Sequence, residues 1–289
     1  MSPEAIAELR RRADAGDPEA VAFTAVLAAF GVGEPQDWPA ALRRLARAAD
    51  LGSAPAREQL AVLADVEPAE DASWPALAAS IDLAAWVEPA AKERRLLDPR
   101  ISVVPSFLTP RTCAWLIARA GARLAKAQVF DPRTGGARQE STRTNNAFEF
   151  AFEDLDLVLL AVRARIAATA GTLTGALEPI QVLHYAPGQT FERHYDFLDP
   201  ATPGYAREAA ARGQRVATFL VYLNADYEGG ETDFPAVGFS YRGRVGDALM
   251  FANVDRTGAP DRQTLHAGLP PRSGEKWLLS QWVRDRASL

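Results

Sequence analysis

The chain has 289 residues, of which 48% are hydrophobic and 24% charged, so it can bury a sizeable core and stay dissolved, and neither disorder nor membrane insertion is expected. Thirty-two basic residues against 37 acidic ones give a net charge of −5 without a long positive run, which argues against a nucleic acid partner. The longest uncharged apolar stretch, residues 20–33, is too short to cross a bilayer, and a single cysteine with no leader-like start favours a cytoplasmic location.

The first part of the chain, up to about residue 99, is rich in Ala, Leu, Arg and Glu and poor in β-branched residues, which predicts helices. This part also repeats itself, because a shift of 36 positions superposes identical residues. The pairs are Leu9 and Leu45, Ala13 and Ala49, Asp14 and Asp50, Gly16 and Gly52, Ala20 and Ala56, and Leu27 and Leu63. Each copy fits a helix pair in which Gly16 or Gly52 ends the first helix.

The repeat resembles a Sel1-like repeat, a relative of the tetratricopeptide helical hairpins, and such a region can bind a protein partner. Two copies are fewer than the roughly three that a self-supporting stack needs, so the region must be supported by something else. An Ala-rich helical bundle without a binding role stays open as an alternative, since fold does not fix function.

The sequence changes character near residue 99. An acidic, proline-bearing loop is predicted at residues 65–75, and one more helix follows at residues 76–87. Prolines then mark the crossing into the second part. We therefore predict two domains, a helical repeat region at residues 1–95 and a catalytic domain at residues 96–289.

The second part is predicted to be rich in strands. It begins with a strand at residues 101–105 and a helix that Thr109 caps and Pro110 starts, and a further helix is predicted at residues 155–169. Short β-type runs separated by turn signals follow at residues 180–185, 216–224, 232–234, 248–251, 264–267 and 276–284. The fold class predicted is α+β, an N-terminal helical repeat region followed by a double-stranded β-helix (jelly-roll) domain with flanking helices.

The stretch His194-Tyr195-Asp196 carries the clearest chemical signal. Side chains two positions apart on a strand point the same way, so His194 and Asp196 can converge on one ion. One such pair is weak evidence and is also typical of a polar surface. His266 strengthens it, because the chain has three histidines in all and this one lies in another predicted strand. Two histidines and a carboxylate form the facial triad favoured by non-haem Fe(II) oxygenases.

Lys276 is a candidate partner for a carboxylate. It starts a predicted strand, ten residues after His266, and alternation puts it on one face with Leu278, Ser280, Trp282 and Arg284. An unpaired ammonium on an inner face would cost several kcal/mol, by order of magnitude, which a bound carboxylate would offset. An exposed lysine at the strand start is the alternative, but the chain otherwise uses Arg for nearly all its positive charges.

Several separated motifs follow one another in the second part of the chain. They are QVLHYAPG from Gln181, HYD from His194, RVATFLVYLN from Arg215, GGET from Gly229, LHA from Leu265 and GEKW from Gly274. In order and spacing they resemble the prolyl 4-hydroxylase branch of the Fe(II)/2-oxoglutarate dioxygenases. The resemblance covers residues 101–286, about two thirds of the chain. Chance does not explain so many separate motifs in the same order.

The resemblance implies a role for each matching residue. His194, Asp196 and His266 would bind Fe(II), and Lys276 would hold the distal carboxylate of the cosubstrate 2-oxoglutarate. Further residues of the cosubstrate pocket would be Tyr222 and Thr218 near that same carboxylate, Tyr185 near the metal-binding end, and Trp282 in the wall. For these four secondary positions, ordinary core packing stays open as the alternative.

The resemblance also implies that Arg215 and Arg284 face the substrate, although Arg284 stands where some relatives carry a histidine. The spare histidine, His184, neighbours Tyr185 and so points to the opposite strand face, where we expect a polar surface or supporting role. Residues 197–214 are predicted to form a lid or a solvated connector, and residues 131–146 could flank a peptide groove.

The activity implied is hydroxylation with O2 and 2-oxoglutarate, releasing succinate and CO2, with ascorbate as a further cofactor. Asp196 favours hydroxylation over halogenation, because related halogenases leave its coordination position open for chloride. The expected substrate is a prolyl residue of a peptide or protein. The alternatives are a hydroxylase of a free amino acid or other small molecule, a catalytically silent binding module, and a hydrolase that uses another metal.

Overall fold

The computed structural model describes residues 2–287. Its helices are α1 (Pro3–Asp14), α2 (Pro18–Phe30), α3 (Trp38–Asp50), α4 (Ala54–Ala64), α5 (Trp74–Ser80), α6 (Leu83–Val87), α7 (Pro110–Gly121), α8 (Leu157–Ala170) and α9 (Pro203–Arg212). Its strands are β1 (Glu93–Leu96), β2 (Ile101–Val104), β3 (Ala125–Lys126), β4 (Val129–Phe130), β5 (Ala137–Arg138), β6 (Asn146–Glu149), β7 (Gln181–Tyr185), β8 (Phe191–His194), β9 (Arg215–Tyr222), β10 (Glu228–Gly229), β11 (Thr232–Phe234), β12 (Phe239–Tyr241), β13 (Ala248–Ala252), β14 (His266–Gly268), β15 (Pro271–Ser273) and β16 (Lys276–Arg284).

The chain divides into two compact units. The first comprises Met1–Glu88 with Ala151–Arg165, and the second comprises Pro89–Phe150 with Ile166–Leu289. The first unit is helical and the second contains all strands of the described residues. The chain is therefore a mixed α and β protein with N-terminal helices and a β-rich C-terminal part. Within residues 2–287 no helix has both the length and the apolar character needed to cross a membrane.

The first unit begins with two helix pairs, α1 with α2 and α3 with α4. In both pairs a glycine in the left-handed region, Gly16 or Gly52, follows the first helix. A side chain then caps the next helix: Asp17 accepts backbone N–H groups of α2, and Ser53 does so for α4. Alanines of α3 are completely buried, which lets its neighbours approach closely.

The second unit is built on two main sheets. In the described residues an eight-stranded sheet has the order β1-β2-β13-β9-β16-β7-β6-β3, and a four-stranded sheet has the order β12-β11-β14-β8. The two short pairs are β10 with β15 and β4 with β5. The sheets share a core in which Phe234 of β11 packs edge-on against Phe251 of β13, with ring centroids 5.0 Å apart. The strands therefore bring residues from distant parts of the chain around one interior.

Two local predictions differ from the structure. The helix expected at residues 76–87 is interrupted at Ile81, which is extended, and Asp82 then caps the short helix α6. The connector expected at residues 197–214 contains helix α9, which Pro203 starts and Gly213 follows. Both differences arise from capping residues, which start and stop helices independently of hydrophobic periodicity.

Candidate active site

Three side chains that bind metals in other proteins converge in the four-stranded sheet. His194 ends β8, His266 begins β14, and the two residues face each other in the antiparallel register. Asp196 follows β8, and its carboxylate oxygens lie 3.6 Å from Nε2 of His194 and 3.5 Å from Nε2 of His266. One ligand atom from each residue lies within 4.8 Å of the other two. The structure thus brings together the three residues singled out by the HxD motif and the third histidine.

The backbone fixes the orientation of both imidazoles. Nδ1 of His194 donates to the carbonyl of Glu192 at 2.7 Å, and Nδ1 of His266 donates to the carbonyl of Thr264 at 2.9 Å. Because a carbonyl can only accept, the Nε2 atoms keep their lone pairs and face Asp196. Burial lowers the pKa of His194 to about 3, so this ring is neutral at physiological pH.

The carboxylate of Asp196 is held by a chain of hydrogen bonds. The Thr218 hydroxyl donates to its Oδ2 at 2.6 Å, and the Asn253 amide donates to the Thr218 hydroxyl at 3.0 Å. Burial alone would raise the pKa of Asp196, but His266, His194 and the Thr218 bond outweigh it and lower this pKa below its usual value. Neutral imidazole nitrogens and an ionised carboxylate are the donors that a ferrous ion takes in a facial triad, so these residues fit Fe(II).

Lys276 lines the same cavity as the His-Asp-His cluster. Its side chain is completely buried, and Nζ donates to the Gly230 carbonyl at 2.6 Å. Burial lowers its pKa to about 7, although Glu231 acts in the opposite direction. The ammonium lies 5.1 Å from the ring centre of Tyr185 and 5.8 Å from that of Tyr222. Lys276 is therefore a buried cation with the rings of Tyr185 and Tyr222 beside it.

A small inner cavity of about 30 Å³ connects these groups, since its lining includes Lys276 and all three residues of the cluster. Tyr185 lines it from β7, where it pairs with Lys276, and a Cβ on Gly268 would lie 3.1 Å from its hydroxyl. Trp282 also lines it, and its indole Nε1 is buried with no hydrogen-bond partner among the described residues. This N–H can serve a bound ligand.

Tyr222 and Thr218, expected beside one carboxylate, lie at opposite ends of the site. Four residues along a strand span roughly 13 Å, which separates the two residues along β9. Tyr222 pairs with Leu278 near the Lys276 end, and its hydroxyl lies 2.8 Å from that of Thr232. Thr218 instead serves Asp196, as described above. The structure therefore places Thr218 with the metal cluster and leaves Tyr222 at the cation.

An outer cavity of about 740 Å³ adjoins the cluster. His194 and Asp196 line it together with Arg143, Arg215, Trp282 and two aromatic rings at its rim, Phe130 and Tyr205. Glu178 accepts hydrogen bonds from Nε and Nη2 of Arg215 at 2.7 and 2.9 Å, and the guanidinium lies 3.5 Å from the ring centre of Trp282. Arg215, an expected substrate-facing residue, thus lies at the cavity with a fixed orientation.

Arg284 has a different environment from the one expected. Only 5% of it is exposed, and its guanidinium donates to Glu178 at 2.6 Å, to the Gly213 carbonyl at 2.5 Å and to Glu208 at 3.0 Å. A register shift between Val283 and Arg284 also interrupts the strand alternation at this point. Its donors therefore serve the protein, whereas the sequence suggested a substrate contact.

Other residues at the site were not singled out from the sequence. Arg143 is buried, lines both cavities and lies 4.6 Å from the ring centre of Phe191, which in turn stacks on His194 at 3.5 Å. The Arg- and Thr-rich segment at residues 131–146 pointed to this region but to no single side chain. His184 lies on the other strand face, where its Nε2 contacts Glu275 at 3.0 Å.

Comparison with known proteins agrees with this geometry. Residues 180–284 match the model of the 2OG-Fe(II) oxygenase superfamily. The chain is 33% identical over 205 residues to Prolyl 4-hydroxylase 1 of Arabidopsis thaliana, covering 66% of this chain and 71% of the relative. It is 34% identical over 217 residues to Prolyl 4-hydroxylase 5 of the same plant, covering 68% and 70%.

A solved structure is similar as well. The viral collagen prolyl hydroxylase of Paramecium Bursaria Chlorella virus-1, in complex with 2OG, is 29% identical, with a TM-score of 0.50 over 64% of this chain and 95% of that one. Together with the His-Asp-His cluster, these matches identify the cofactors as Fe(II), 2-oxoglutarate and O2. The chain belongs to the prolyl 4-hydroxylase family of the 2OG-Fe(II) oxygenase superfamily and is a 2-oxoglutarate-dependent dioxygenase.

Proposed function

We propose that this protein hydroxylates a prolyl residue of a peptide or protein and releases succinate and CO2 from 2-oxoglutarate. The observation that carries the proposal is the pairing of a His-Asp-His cluster with a buried cation across one inner cavity. The relatives named prolyl 4-hydroxylases support the choice of a prolyl substrate.

In this proposal His194, Asp196 and His266 hold Fe(II) through Nε2, a carboxylate oxygen and Nε2. Bound Fe(II), with 2-oxoglutarate and O2, supplies the oxidation of an unactivated C–H bond. Bonds from Nδ1 to backbone carbonyl groups orient both imidazoles and leave Nε2 as the nitrogen that faces the metal site. Thr218 holds Asp196 in place and ionised, and the presence of this carboxylate favours hydroxylation over halogenation.

Lys276 would hold the distal carboxylate of 2-oxoglutarate. To do so, its ammonium would either replace its hydrogen bond to the Gly230 carbonyl or keep that bond and donate a further N–H to the carboxylate. The carboxylate would then compensate a positive charge that burial disfavours. Tyr185 lies between Lys276 and the β14 strand and would orient the cosubstrate along the cavity. Trp282 would form the wall towards the substrate, with its unpaired N–H available to a ligand, and Tyr222 would pack behind the cation.

The substrate would occupy the outer cavity. A volume of about 740 Å³ is in the upper part of the range for small-molecule pockets and leaves room for a prolyl residue with its neighbours. This size favours a peptide or protein over a free amino acid. Arg215 keeps Nη1 available for a substrate carbonyl, because Glu178 engages its other two nitrogens.

We further propose that the β-rich region is a double-stranded β-helix, and that residues 1–95 form a Sel1-like repeat region able to bind a protein partner. Support comes from the two facing sheets and from the two helix pairs with equivalent glycine turns. A cytoplasmic location and support of turnover by ascorbate belong to the same proposal.

Turnover of 2-oxoglutarate, measured as succinate with and without proline-containing peptides, tests the proposed activity. The wild type should release succinate in an O2-dependent reaction, faster with a peptide substrate, and the peptide should gain the mass of one oxygen atom. His194→Ala should reduce both signals to background, because it removes a ligand of the metal. A wild type that binds no Fe(II) anaerobically would instead indicate a silent binding module, and O2-independent hydrolysis would indicate a different metal enzyme.

A further inference from the structure

A network of buried charges links the floor of the outer cavity to its rim. Glu178, on the floor, accepts hydrogen bonds from both Arg215 and Arg284. Arg284 also reaches helix α9 through Glu208, and the end of that helix through the Gly213 carbonyl. Side chains of Glu178 and Arg284 are only 8% and 4% exposed, so this network is largely removed from water.

Helix α9 forms one side of the cavity rim. Its first turn packs against the β4–β5 hairpin so tightly that a Cβ on Gly204 would lie 1.7 Å from the Pro132 carbonyl oxygen. The next residue, Tyr205, packs against Phe130 of β4 in a tilted arrangement with ring centres 5.7 Å apart, and both rings line the cavity. The other end of α9 is the end held by Arg284. The position of Tyr205 above the cavity therefore depends on both attachments.

The chemistry of Arg284 suits this linking position. Its planar guanidinium presents donors in several fixed directions, and here they reach two carboxylates and one carbonyl at once. A lysine could not meet all three partners in one geometry. Loss of the guanidinium would remove one of the hydrogen-bond partners of Glu178 and would release the C-terminal end of α9.

We propose that Arg284 is a positioning residue for the peptide site, which orients Arg215 through Glu178 and holds α9, with Tyr205, over the outer cavity. This inference rests on the proposed function, in which the outer cavity receives the peptide. It assigns Arg284 no contact with substrate. It predicts that Arg284 affects peptide binding while leaving the inner site, which holds Fe(II) and 2-oxoglutarate, unaffected.

The kinetic constants of Arg284→Gln test the expected effect on peptide binding. The KM for the best proline-containing peptide should rise at least about tenfold, equivalent to about 1.4 kcal/mol, while the KM for 2-oxoglutarate stays within about twofold. Arg284→Lys should be intermediate. The matched control is Arg212→Gln, which removes an exposed partner of the same Glu208 (3.3 Å) and should leave the peptide KM within about twofold.

Amide hydrogen exchange supplies a second readout that needs neither metal nor substrate. Exchange in residues 203–213 should accelerate at least about tenfold in Arg284→Gln and stay unchanged in Arg212→Gln. Glu208→Gln should reproduce part of this effect, because the bond between Arg284 and the Gly213 carbonyl remains, and the double variant should add little to Arg284→Gln alone. If Arg284→Gln does not fold, Glu208→Gln carries the test with the same readouts, since the bond between Arg284 and Glu178 remains.

The proposal is overturned if Arg284→Gln changes the peptide KM no more than Arg212→Gln does, or if the KM for 2-oxoglutarate rises by the same factor as that for peptide. Unchanged exchange in residues 203–213 also overturns it. A wild type that turns over no prolyl peptide would instead contradict the proposed function. The exchange experiment would then still decide whether Arg284 holds α9.

Discussion

The inner site and the rim of the outer cavity are built in different ways. In the inner site Asp196, His266 and Lys276 are buried, lie on or beside strands, and have hydrogen-bond partners within 3 Å. At the rim Phe130 and Tyr205 are half-buried, and their contact is one ring against another. The inner groups are thus fixed by directional bonds, whereas the two rings at the rim are held against each other by packing.

The difference has an energetic basis. Removing one partner in the inner site leaves a buried polar or charged group unsatisfied, which costs far more than a lost surface contact. Removing a ring from the rim costs packing and little else. Substitutions in the inner site should therefore weaken metal or 2-oxoglutarate binding by large factors. Substitutions at the rim of the outer cavity should weaken peptide binding by small factors.

The largest effect is expected for Lys276→Met, which removes the buried cation and keeps its apolar stem. Truncating one partner of a buried charge pair costs about 2 to 5 kcal/mol, so the KM for 2-oxoglutarate should rise by roughly 30-fold or more. Fe(II) affinity, measured anaerobically, should change little, because Lys276 lies in the inner cavity without being one of the three clustered ligands. A KM within threefold of wild type would show that the cosubstrate carboxylate binds elsewhere.

Thr218→Val should come next. The substitution keeps the shape and removes the hydroxyl that donates to Asp196, and lost support of a metal ligand typically costs about 10- to 100-fold in metal affinity or activity. Thr218→Ser, which keeps the hydroxyl, is the matched control and should stay close to wild type. If Val and Ser variants bind Fe(II) equally well, the hydrogen bond does not support the metal site.

The binding of 2-oxoglutarate in the inner site should depend on pH, because it involves the titratable group of Lys276. Because burial lowers the pKa of Lys276 to about 7, the free protein loses this charge above pH 7, while a bound carboxylate favours the protonated form. Binding must then take up a proton, so the Kd for 2-oxoglutarate should be flat below about pH 7 and rise up to tenfold per pH unit above it. Calorimetry in two buffers at pH 8 should detect uptake of about one proton in wild type and none in Lys276→Met. Equal uptake in both proteins would assign the proton to another group.

The same comparison explains what the sequence could predict. The HxD spacing and the small number of histidines and lysines predict the metal cluster and Lys276, although Asp196 lies just after β8 and not within a strand. The resemblance implies a position for Thr218 beside the cosubstrate carboxylate, but it does not reveal the hydrogen bond from Thr218 to Asp196. The partners of Arg284 come from Glu178 and from α9, so no local pattern reveals them. Helix α9 itself has sequence signals, Pro203 at its start and Gly213 after its end, but the same prolines and glycines also fit a connector without a helix.

The smallest effect is expected at the rim. Tyr205→Ala removes the ring that packs against Phe130. Aromatic pairs contribute about 0.5 to 1.5 kcal/mol, so loss of the pair should raise the peptide KM roughly 2- to 12-fold. The KM for 2-oxoglutarate should not change, since Tyr205 lines the outer cavity and is absent from the lining of the inner one in the described residues. Tyr205→Phe keeps the ring and should restore wild-type values. A rise in the 2-oxoglutarate KM as large as that for peptide would mean that the two regions act as one unit, because loosening the rim would then also disturb the bonds that hold Asp196 and Lys276.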